Sequence, residues 1–132
     1  MPQPPRPPTT LQRVVDKDEQ LVERFPALAA PIYAAVTTNQ PFDQPRTDLL
    51  YALTDTLHGH AEYDESTKDT SGDTAEQSVL TRAMGAQHRS LAARVQELKQ
   101  ATAGLDAVAI TRTVYAVLTL TLDLERRTLQ YR

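Results

Sequence analysis

The placement of proline constrains this chain most. All nine prolines lie at or before Pro45. Proline lacks a backbone donor and clashes with the preceding helical turn, so it punctuates helices. From Arg46 onward no proline interrupts one. The four glycines, Gly59, Gly72, Gly85 and Gly104, are scattered, so no phosphate-cradling loop is present. Cysteine is absent, which excludes disulfides, thiolate metal sites and cysteine nucleophiles. At 132 residues, 40% hydrophobic and 23% charged, the chain has the length and balance of one domain with a real core. A formal net charge of −3 argues against a nucleic-acid partner, whose binders carry a basic face. No run reaches the ~18 apolar residues of a membrane span. The opening MPQPPRPPTT has no apolar leader stretch, so the expected location is the cytoplasm.

Residues 1–9 are proline-rich and polar and are expected to form a disordered tail ahead of a single domain, 10–132. Thr9 with Gln12 resembles a capping box at the start of a helix. Leu11, Val15, Val22, Phe25, Ala29, Ile32 and Val36 then recur at helical steps. Pro26 and Pro31 fall within this stripe, so one helix kinked by its prolines is expected, roughly 10–38. TNQPFDQP (38–45) is rich in turn formers, with Phe42 placed to tuck back onto the bundle. A second helix is expected from near Thr47 to about Thr67, carrying Leu50, Leu53 and Leu57. The polar STKDTSGD forms the next turn, after which Asp73 with Glu76, or Thr74 with Gln77, can cap a third helix. That helix carries Leu80, Met84, Leu91, Val95 and Leu98 and ends near 103–104. The fourth is expected over 105–130, although VLTLTLDL (117–124) alternates like a strand. The fold class predicted is all-α, an up-down-up-down four-helix bundle.

The informative positions are polar residues where the stripes call for apolar ones. Asp18 fills the seam gap between Val15 and Val22, and His88 is central to the third helix's face. Glu125 lies on the face of Val114, Leu118, Leu122 and Leu129, with Thr121 on its flank. The second helix carries LHGHAEYDE, where His58 with Glu62 and His60 with Asp64 are spaced i, i+4. Measured from Leu50, Leu53 and Leu57, Asp64 lies nearest the seam and the two histidines flank it. Each of these residues alone has an ordinary explanation, as a hydrogen-bonded core histidine or a surface ion pair. In helices of alternating direction, however, Asp18, His60, Asp64, His88 and Glu125 fall at similar heights, given ~1.5 Å of rise per residue. An imidazole–carboxylate cluster inside a bundle suits iron, manganese or zinc.

The pattern resembles the hemerythrin-like (HHE cation-binding) family. Leu53, Leu57, His60, Asp64 and Glu65 follow that family's second-helix order, with Asp64 for its first glutamate. Gln87-His88, Leu91, Val95 and Leu98 are similar to its third helix, and Val114, Leu118, Thr121 and Glu125 to its fourth. Asp18 and Thr121 stand where the family has histidines. The resemblance implies a four-helix bundle holding non-haem iron, mononuclear or dinuclear, that binds or activates O₂, NO or peroxide. It also implies nitrogen ligands from His60 and His88 and oxygen ligands from Asp64, Glu125 and Asp18, with His58 and Glu62 as substitutes.

The alternative is a metal-free bundle used for protein interaction. Ile110, Val117, Leu120 and Leu124 form a second apolar stripe on the fourth helix, which predicts homodimerisation through it. A metal-free acid–base enzyme is disfavoured, since no positioned nucleophile or phosphate-binding cluster is present. Gly59 and Gly85 fall inside predicted helices beside the candidate histidines, which points to close helix approach or to room for a ligand.

Overall fold

The structure, a computed structural model, describes residues 10–69 and 71–131. The segment expected as a disordered tail, 1–9, lies outside the described residues. Those described form four helices and no strand: α1 (Leu11–Thr37), α2 (Asp43–Ser66), α3 (Ala75–Gln100) and α4 (Gly104–Gln130). Each packs on the next and α4 closes on α1, while the backbones of the diagonal pairs stay apart, so the helices form a ring. Helices of this length span about 40 Å, far beyond what links such as 101–103 can cover, so successive helices run antiparallel. The amino end of α1, the carboxyl end of α2, the amino end of α3 and the carboxyl end of α4 therefore share one end of the ring.

Local chemistry sets the boundaries. The cap of α1 is Thr10 rather than Thr9, its hydroxyl accepting from the Arg13 amide at 3.3 Å. The helix runs through both Pro26 and Pro31. α2 starts at Asp43, four residues before the expected Thr47, and includes Pro45. A proline in the first turn costs little, because amides there have no intrahelical acceptor anyway. Phe42 does tuck back: it packs on the core and lies beneath the Arg46 guanidinium, which also donates to the Ala101 carbonyl. α3 opens with a full capping box between Thr74 and Gln77. α4 is helical through 117–124 despite the strand-like alternation. Its threonines make this workable, for Thr111, Thr121 and Thr128 turn their hydroxyls onto the carbonyls one turn back. By length and composition α4 is apolar enough to cross a membrane, which the sequence reading did not detect.

The core is divided in two. The larger cluster is built on Phe25, Ile32, Leu49, Leu53, Leu91, Leu98, Val114 and Leu118. The smaller, toward the shared end, holds Leu11, Val14, Val15, Tyr63, Met84 and Leu122. Asp18, His60 and His88 lie between them in register, and Glu125 lies just past Leu122 on the side of the smaller cluster; all four are buried. The seam of α2 runs Leu49, Leu53, Thr56, His60, Tyr63, not through Leu50 and Leu57, which are half-buried. That rotation moves His60 into the seam and Asp64 to its edge, the reverse of the expected order. Close helix approach occurs at Gly104, where a Cβ would lie 3.0 Å from Val36 Cγ1. A Cβ at Gly59 would meet nothing within 4 Å, and one at Gly85 would touch only Arg89, so neither marks a helix contact.

Thr74→Ala removes the hydroxyl half of the capping box. The expected loss is about 1 kcal/mol, read from the midpoint of urea unfolding.

Candidate metal centre

Each helix contributes one buried ionisable side chain to the same layer. Asp18 projects from the second turn of α1, and His60 from the carboxyl half of α2. His88 comes from mid-α3 and Glu125 from the last turns of α4. All four are at most 4% exposed. They are in contact: His60 Nε2 donates to Asp18 Oδ2 at 2.7 Å and lies 3.5 Å from Glu125 Oε2. His88 Nε2 donates to the same Glu125 oxygen at 2.8 Å. The two imidazoles are stacked, with centroids 3.9 Å apart and planes within 11°.

Asp64 joins from the edge of the layer. Its carboxylate accepts from His88 Nδ1 at 2.8 and 2.9 Å through its two oxygens. It therefore orients His88 rather than pairing with His60 on its own helix. A carboxylate on the far nitrogen of an imidazole fixes the ring's orientation and raises its basicity, the usual support for a metal-binding histidine.

Burial and charge act on these groups in opposite directions. Burial pushes His88 down, but its hydrogen bonds to Asp64 and Glu125 and their negative charge outweigh that and raise it from 6.5 to about 9. Glu125 is raised from 4.5 to about 8, first by burial and then by the neighbouring Asp18 carboxylate, against the pull of His88. Even so, hydrogen bonding within the layer is incomplete. No donor reaches Asp18 Oδ1 or Glu125 Oε1, and His60 Nδ1 meets no partner. Such buried orphans are costly.

The donor set fits a metal ion. His60, His88 and Glu125 each offer one atom, and these three atoms lie within 4.8 Å of one another. Ligands with bonds of about 2.1 Å sit about 3.4 Å apart around a tetrahedral ion, comparable with the 2.8 Å His88–Glu125 and 3.5 Å His60–Glu125 separations; Asp18 lies outside this three-residue group and touches it through His60 at 2.7 Å. Two imidazoles with carboxylates suit iron, zinc or manganese.

Asp18, His60, His88 and Glu125 thus converge, with Asp64 behind His88. His58 and Glu62 do not join them: they pair with each other at 3.1 Å on the surface, 74% and 53% exposed. Thr121 is buried but spends its hydroxyl on the Val117 carbonyl. Sequence reasoning missed Thr56 and Tyr63, buried one turn to either side of His60; a seam drawn from Leu49 would have found both. Compared with known proteins, the chain matches no protein-family model, no curated protein and no solved structure. The chemistry of the layer therefore rests on its own geometry.

The raised His88 and Glu125 mean that between about pH 4.5 and pH 9 the layer of the metal-free folded chain holds more protons than the same groups do unfolded. Stability then falls as pH rises. The His88 contribution is complete below about 6.5 and lost as pH passes about 9, and the Glu125 contribution declines from about 4.5 to about 8. The urea midpoint of metal-free protein is expected to drop steadily from pH 6.5 to pH 9, and Glu125→Gln is expected to flatten the dependence.

Proposed function

We propose that this bundle is a metal-binding protein whose ion, iron in the first instance, is held by His60, His88, Glu125 and Asp18. The observation that carries the reading is the convergence of four buried donors from four helices, three of them leaving an atom without a hydrogen-bond partner. A structural ion pair has no need of four ionisable groups in one dry layer, whereas a divalent cation would neutralise the excess carboxylate charge. The donors favour one ion over two. Asp64 is committed to His88 Nδ1, and His58 with Glu62 stands apart, so a second ion would lack ligands of its own.

The choice of iron draws on the resemblance to the hemerythrin-like family, with Asp18 and Thr121 in place of histidines and Asp64 behind His88 rather than among the ligands. Iron held by these residues would supply a one-electron redox change for reaction with O₂, NO or peroxide. The protein's part is to bind and to hold protons. Asp64 keeps the His88 ring in one orientation, so Nε2 faces Glu125. Burial and the apolar residues of the two neighbouring clusters strengthen the charge interactions in the layer. Loading the site displaces the protons retained by His88 and Glu125, so apparent affinity rises with pH up to about 9.

The test is anaerobic titration with Fe²⁺ or Co²⁺ of protein prepared without an affinity tag. One ion per chain is expected, with binding lost in His60→Ala and in His88→Ala. Asp64→Asn is expected to retain the site with affinity lowered about 10–100-fold. No uptake by the wild-type chain rejects the reading.

A second reading, a metal-free interaction bundle, draws on one observation. Leu120 on the outer face of α4 is 60% exposed, beside the half-buried Val117 and Leu124, with Ile110 further along the stripe. Homodimerisation there would cover it. Leu120→Glu is then expected to convert a dimer to monomer in sedimentation, and an oligomeric state that the substitution leaves unchanged rejects this interface.

A further inference from the structure

An ion bound in a layer at most 4% exposed needs a way in. Two of the four proposed ligands, Asp18 and His60, line a surface pocket of about 360 Å³ between α1 and α2. Arg13, Asp16, Lys17, His58, Gly59 and Glu62 also line it. Gly59 sits beside His60 on a buried stretch of α2, and a Cβ there would meet nothing within 4 Å. The missing side chain leaves open space next to a ligand that is otherwise enclosed.

We propose that this pocket is the port by which a divalent cation reaches the centre, with the His58–Glu62 pair as its outer station. The inference rests on the metal-binding reading above. Four observations support it. The His58 Nε2 to Glu62 Oε1 separation is 3.1 Å, and one ion can be gripped by an imidazole and a carboxylate spaced i, i+4. Both groups are more than half exposed, so they meet solvent ions directly. Acidic groups outnumber cationic ones around the pocket: Asp16, Asp18 and Glu62 against Arg13 and Lys17, and Lys17 is already paired with Asp55 at 3.3 Å. At the inner end, Asp18 Oδ1 is buried and without a hydrogen-bond partner, so a carboxylate oxygen is free to take over the ion as it leaves the rim. The path therefore runs from a solvent-facing nitrogen–oxygen pair, past a gap in α2, to an uncommitted buried oxygen. The His58–Glu62 pair, which lies outside the centre, thereby acquires a role.

The port makes a kinetic prediction separable from affinity. Metal-free protein is mixed with Co²⁺ in stopped flow and the rise of the cobalt absorption is followed; release is timed with excess EDTA. Gly59→Leu fills the gap, and leucine for a helical glycine also raises helix propensity, so the fold should hold. Loading and release are both expected to slow about tenfold or more, with final stoichiometry and spectrum unchanged. Glu62→Lys, a surface change, provides a second check: it is expected to slow loading several-fold and to flatten or reverse its dependence on ionic strength. If both variants load at the wild-type rate, the port is overturned while the centre stands. If wild-type protein takes up no Co²⁺, centre and port fall together.

Discussion

The layer of Asp18, His60, His88 and Glu125 is the constraint on which the rest of this bundle depends. Burying two carboxylates and two imidazoles is expensive unless their charges and lone pairs are met. The ring of four antiparallel helices meets most of that demand by bringing one group from each helix to the same height. The cost is visible in the interrupted core, an apolar cluster on each side of the layer, and in the atoms of Asp18, His60 and Glu125 that remain without partners. Several buried or helix-end polar groups elsewhere are satisfied locally. The buried threonines of α4 bond their own helix, and Thr74 and Arg46 tie down the ends of α3 and α2. Among the described residues, three of the buried atoms without a partner, Asp18 Oδ1, His60 Nδ1 and Glu125 Oε1, thus lie in the layer itself.

Much of this was legible in the sequence, for specific reasons. A polar residue on an apolar stripe is visible when the stripe is clean, as for Asp18 in α1, His88 in α3 and Glu125 in α4. The strand-like 117–124 reads as helix because nothing between Ile110 and Leu129 ends one. α2 was harder, because Leu49 and Leu50 are adjacent and only one of them can define the seam. Choosing Leu50 rotates the face by about 100° and exchanges the positions of His60 and Asp64. A sequence also does not tell which histidine a carboxylate will choose: Asp64 could reach His60 on its own helix, but tertiary packing brings His88 to it. The start of α2 was missed because Pro45 reads as a breaker, whereas in a first turn it is tolerated.

The glycines show the same division. Gly104 reads as a turn and proves to be also a close contact with Val36. Gly59 reads as an anomaly inside a helix, and only the structure shows that the space beside it opens toward Asp18 and His60. The two anomalies of α2, a helical glycine and a surface His–Glu pair, receive a single explanation if the buried layer is loaded from that side.

X-ray absorption at the metal edge, on protein loaded with one equivalent of Fe²⁺ or Co²⁺, tests the central claim most directly. The account predicts a first shell of nitrogen and oxygen at about 2.0–2.2 Å with the outer-shell scattering of two imidazoles. That scattering should fall to one imidazole in His88→Cys, which keeps a strong ligand atom at the position and adds a sulfur neighbour to the ion. A wild-type spectrum without imidazole scattering, or one unchanged by His88→Cys, would contradict it.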